Sequence, residues 1–80
     1  MFHKVEEVKP LTNYQLSVRF INGENRLYDV KPLFDKWASF KSLEFIEGLF
    51  EQVRVDSGGY GVSWNDELDL SCNELYFNGK

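Results

Sequence analysis

Histidine and cysteine each occur once in this chain, proline twice, and no apolar run comes near the length of a membrane span. Each scarcity excludes something. A lone Cys72 cannot close an intramolecular disulfide. A zinc site needs His and Cys in a cluster, and here His3 and Cys72 stand almost the whole chain apart. Nucleophilic catalysis needs a Ser or Cys beside a base, usually His. His3 lies in a terminal segment and reads as an exposed or strand-paired imidazole, and Cys72 reads as a helix-start residue. With no stretch of roughly 18 consecutive apolar residues, no helix should span a membrane. The first ten residues, MFHKVEEVKP, carry charges where a secretory signal would be apolar. The expected compartment is the reducing cytoplasm.

Clustered positive charge is also missing. Of the nine Lys/Arg and thirteen Asp/Glu that give the net charge of −4, residues 1–40 hold six bases against five acids, and residues 41–80 hold three against eight. The negative excess therefore sits in the second half. A phosphate-binding face shows itself as a run or patch of Lys and Arg, so direct nucleic-acid binding is not expected. Gly58-Gly59-Tyr60-Gly61 lacks the following Lys-Ser/Thr of a phosphate loop and reads as a turn between strands. The oxygens of Asn65 to Glu74 lack the central glycine of a calcium loop. No catalytic, cofactor or metal residue is assigned.

Aromatic residues are what the chain has in abundance: seven Phe, four Tyr and two Trp among 80 residues. Large rings bury much area at small conformational cost, enough for one domain over residues 1–80 to fold without staples. Tyr14, Leu16, Val18 and Phe20 alternate with polar residues at the period of a half-buried strand. A three-residue loop Ile21-Asn22-Gly23 with a left-handed Gly23 would set Leu16 opposite Tyr28 and Tyr14 opposite Val30. A plain Asn22-Gly23 turn would oppose Leu16 to Asp29 and bury a charge, so the longer loop is preferred. Val5 to Leu11 reads as a further strand, with Pro10 marking an edge.

Helical spacing follows. Pro32 starts a helix of about two turns through Leu33, Phe34 and Trp37. Ser42 is read as the cap of a second through Leu43, Phe45 and Ile46, stopped at Gly48. Alternation returns through Phe50, Val53 and Val55, and Ser57-Gly58-Gly59 turns into a strand carrying Tyr60, Val62 and Trp64. Ser71 with Glu74 forms a capping box ahead of a helix over Cys72 to Phe77, ending near Gly79. The order predicts an α+β fold, an antiparallel sheet of about five strands built from hairpins with two or three short helices packed on it.

The stretches LSVRFINGENRLYDVKPLF and VSWNDELDLSCNELY together resemble the small bacterial domain-of-unknown-function family DUF2442. The matching positions are Phe20, Gly23, Arg26, Tyr28, Asp29, Trp64, Asp69, Leu70 and Ser71. The resemblance implies the fold just derived and supplies no catalytic residues. Some members continue into a helix-turn-helix domain, and others look like the smaller half of two-gene modules similar to toxin–antitoxin pairs. Cys72 stands where such proteins often have proline.

Asp66, Glu67 and Asp69, crowded behind Trp64, remain to be explained. Neighbouring turn carboxylates mostly face water rather than converge on one substrate. Asp69 is assigned to the approach to the Ser71 cap, where exposed amides favour an acid. Trp64, Asp66 and Glu67 are the candidate partner-binding residues. The expected function is a non-enzymatic protein-interaction module of a bacterial two-gene system, its acidic surface meeting a partner with a basic one. Nothing in the sequence bars a homodimer. The alternative is a small-ligand-binding or metal-dependent enzyme.

Overall fold

A computed structural model describes residues 1–80. Two three-stranded antiparallel sheets, not one sheet of five strands, carry the fold. The first is a meander of β1 (Val5–Leu11), β2 (Gln15–Phe20) and β3 (Asn25–Asp29). Its alternation is as expected: Leu16, Val18 and Phe20 are buried, while Arg19 between them faces solvent. The hairpin register is also the expected one. Leu16 pairs with Tyr28, the Val30 amide donates to the Tyr14 carbonyl at 3.0 Å, and Gly23 has φ +92°. Pro10 lies on β1, an edge strand of this sheet, where its missing amide costs the ladder nothing.

Three short helices follow the expected order: α1 (Pro32–Lys36), α2 (Ser42–Phe45) and α3 (Cys72–Asn78). α1 buries Leu33 and Phe34, but ends before Trp37, whose backbone is extended. α2 is a single turn, and Ser42 is not its cap. The Ser42 hydroxyl donates to the Ser39 carbonyl at 2.7 Å and makes no side-chain cap bond. With one turn available, Leu43 takes the core side and the chain leaves helical geometry at Ile46, so the neighbouring Phe45 and Ile46 point outward. Leu49 and Phe50 then return to the core through a 3-10 turn, which replaces the start of the expected strand.

The second sheet pairs β4 (Arg54–Val55) with β5 (Gly61–Asn65), and β5 with β6 (Leu68–Ser71). β6 is the element that the sequence pattern does not reveal, because Leu68-Asp69-Leu70-Ser71 reads as the approach to a cap. In the fold Leu68 and Leu70 face inward and Asp69 faces solvent opposite Ser63. Asp69 therefore occupies a strand position and not the helix approach. Ser71 does cap α3, accepting from the Glu74 amide at 3.1 Å. Glu74 does not reach back to complete the box. Its carboxylate accepts instead from the Tyr28 hydroxyl at 2.7 Å and from the Asn78 amide at 2.9 Å. α3 is thus tied to the first sheet.

Between these elements lies one cluster of 18 buried apolar side chains drawn from both sheets and all three helices. Burying a side chain of this kind is worth roughly 1.5–3 kcal/mol before conformational entropy is counted. The two sheets meet at close quarters where Gly59 passes β1, since a Cβ on Gly59 would lie 2.7 Å from the Val5 carbonyl oxygen. No helix is long and apolar enough to cross a membrane.

Candidate functional site

The hairpin of β5 and β6 carries the candidate residues and separates them by role. The register slips between Ser63 and Asn65, leaving Trp64 as the extra residue of a bulge. Bulges re-aim side chains. Here the indole is turned inward and only 2% exposed, with its ring against Phe40 and Phe50 and its Nε1 donating to the Phe50 carbonyl at 3.0 Å. Trp64 is a core residue, which corrects its assignment as a partner contact: it holds the hairpin in place from beneath.

Beyond it, the Asn65 side chain accepts from the amides of Glu67 and Leu68 at 2.9 and 3.0 Å. That pair of bonds fixes a tight tip on which Asp66 and Glu67 are both exposed. Neither carboxylate is in an ion pair.

The tip faces α2 across a cleft of about 470 Å³, lined on one side by Phe45 and Ile46 and on the other by Glu67 and Leu68. Phe45 is 76% exposed and Ile46 54%. The same two residues also line a second, smaller hollow of about 330 Å³, with Glu44, Glu47 and Glu51 around it. The outcome is an apolar ridge flanked by carboxylates. None of these acids is neutralised by an ion pair, and the cation lining the cleft is Lys41.

Phe45 and Ile46 are the surface residues that the sequence pattern hides, since it places them on a helix packed against the sheet. Their spacing suits an amphipathic helix, and only the early end of α2 turns them outward. Gly48, with φ +83°, lets the chain reverse just after them.

His3 and Cys72 are not part of this surface. The His3 ring lies parallel to that of Tyr76 at 3.6 Å. Its backbone amide donates to the Asn73 side chain, which the buried Cys72 thiol also approaches at 3.8 Å. Neither residue lines any of the three cavities, and no three His, Cys, Asp or Glu side chains converge as a metal site would require.

Fold and surface thus define a small α+β domain presenting an apolar ridge between carboxylates. The chain belongs to the family of proteins of unknown function DUF2442, whose model matches residues 5–80. No curated protein and no solved structure matches the chain significantly.

Proposed function

We propose that this domain is a non-enzymatic protein-interaction module that docks a basic partner through the Phe45–Ile46 ridge and the acidic tip of the β5–β6 hairpin. A two-gene bacterial system with a basic companion protein is the setting in which such a surface would serve. The observation that carries the reading is the exposure of Phe45 and Ile46 among carboxylates that no cation of the chain neutralises. Apolar anchors inside a charged rim are the usual anatomy of an interface. The anchors supply buried area. The uncompensated negative rim speeds encounter with a positive surface and rejects negative ones, which also disfavours nucleic acid.

Asp66→Lys together with Glu67→Lys alters only the exposed tip, so the melting temperature should stay nearly unchanged. Capture of the partner should slow, with the loss greatest at low salt, where rim charges act most on association. Phe45→Ser should weaken capture at every salt concentration. Affinity capture by the tagged chain from native extract, quantified for wild type and both variants, tests the reading. Equal capture by all three would overturn it, as would unfolding of the double variant.

A further inference from the structure

A second region carries charges of both signs. Between β3, α1 and α3 lies the largest cavity of the molecule, about 630 Å³, floored by the Tyr28–Glu74 hydrogen bond. Leu27, Pro32 and Leu33 form an apolar wall. Its volume is in the range of small-molecule sites, so its unused hydrogen-bonding capacity determines what it could take.

The acids of this cavity are already engaged. Glu74 accepts from Tyr28 and Asn78. Asp29 pairs with the Lys31 ammonium at 2.9 Å and accepts from the Lys31 amide at 3.1 Å, and that ammonium holds its carboxyl below the usual carboxylate range. The bases are held more loosely: the Lys36 ammonium lies 5.0 Å from the centroid of the Trp37 ring, and Lys80 contributes to lowering the Asp29 carboxyl without bonding to it. Lys36 and Lys80 line the cavity, and their ammonium groups make no ion pair and no hydrogen bond. The side chain of Gln15, at the same cavity, is likewise without a partner. With Glu74 taken up by Tyr28 and Asn78 and Asp29 by Lys31, these two lysines are the charged donors on the cavity that have no hydrogen-bond acceptor. What would complete them is a set of anionic oxygens, and what would cover the wall beside them is an apolar ring or chain.

We propose that the cavity between β3, α1 and α3 binds a small organic anion, its carboxylate or phosphate held by Lys36 and Lys80 and its apolar part against Leu27, Pro32 and Leu33. Two ammonium groups acting together give charge-assisted bonds, the stronger class of hydrogen bond. The apolar wall makes such a ligand bind better than a bare ion of equal charge. This site is separate from the docking surface, and neither proposal depends on the other.

The test is a chemical-shift titration of the 80-residue chain, labelled with nitrogen-15, using inorganic phosphate, phenyl phosphate and benzoate as probes. Phenyl phosphate or benzoate should shift Gln15, Leu27, Lys36 and Asn78 saturably, and at least about fivefold more tightly than inorganic phosphate, the margin that a buried ring contributes. The stronger of the two names the anionic group. Lys36→Gln with Lys80→Gln, both at exposed positions, should weaken that binding about tenfold or more and leave the spectrum otherwise folded. Shifts spread equally over Lys4 and Lys41 would mean adventitious ion pairing and would overturn the proposal. Unchanged affinity in the double variant, or no saturable shift with either organic probe, would do the same.

Discussion

The two halves of the chain treat their carboxylates in opposite ways. In the first sheet and its loops, Glu6 and Glu7 meet Arg19, Glu24 meets Arg26 and Asp29 meets Lys31, at 2.8 to 3.4 Å. Among the eight acids of residues 41–80, not one is in an ion pair. Asp56 and Glu74 are spoken for by hydrogen bonds from Ser63 and Tyr28, and those around α2 and the β5–β6 tip have solvent alone. Surface ion pairs contribute little to stability, so the contrast concerns the field each half presents more than its strength. The carboxylates of the first sheet are paired, and those around α2 and the β5–β6 tip are not.

The largest effect should come from removing what supports the second half. Trp64 fills the space between Phe40 and Phe50 and satisfies the Phe50 carbonyl. Trp64→Ala is expected to cost about 3–5 kcal/mol, a large share of the stability of a domain this small. Urea denaturation followed by tyrosine fluorescence would measure it. If the loss is under 1 kcal/mol, the indole is not the support that its burial implies.

An intermediate effect should come from a bond that joins the halves. Tyr28 of β3 donates to Glu74 of α3, and burial, followed by the hydrogen bond to Glu74 and its negative charge, holds the phenol above its ordinary value. The sign is that of a group whose folded pKa is raised: its stabilisation is complete below the unfolded value near 10 and is lost as pH climbs through and beyond it. Tyr28→Phe should therefore cost about 1–2 kcal/mol at neutral pH, because Glu74 loses a donor. The variant should also lose less stability than wild type when unfolding is repeated above pH 10. Parallel pH curves for the two proteins would show that the phenol carries no such linkage.

How much of this could be read beforehand depended on whether the deciding interaction was local. Leu16 opposite Tyr28, the left-handed Gly23 and the Ser71 cap follow from alternation, turn chemistry and a three-residue spacing, all of which lie within a few positions. The missed strand β6 shows the limit. Leu68-Asp69-Leu70-Ser71 is too short to display a period, and the turn preceding it is set by the Asn65 side chain closing on two amides. Trp64 stands among the partner-binding candidates because sequence cannot show a bulge turning one ring inward. The Tyr28–Glu74 bond spans 46 positions and leaves no local trace at all. Phe45 and Ile46 fit a helical face and were displaced from it only because α2 stops after one turn. The acidic excess of the second half was legible as composition, but its lack of counter-charges was not.

The smallest effect should be a reversal of sign between the halves. Glu6→Gln removes a carboxylate that receives the Arg19 guanidinium at 2.8 Å, and the melting temperature should fall slightly. Glu47→Gln removes one that borders the hollow together with Glu44 and Glu51 and has no cation of its own. Relief of repulsion should leave that variant as stable as wild type or more stable by up to about 0.5 kcal/mol. Salt separates the two cases further, since screening weakens attraction in one place and repulsion in the other. Raising the ionic strength should shrink both differences toward zero, from below for Glu6→Gln and from above for Glu47→Gln. Calorimetric melting of the three proteins at low and high salt decides it. If Glu47→Gln destabilises at low salt as Glu6→Gln does, the carboxylates around α2 have partners within the fold, and the surface is not open to a basic one.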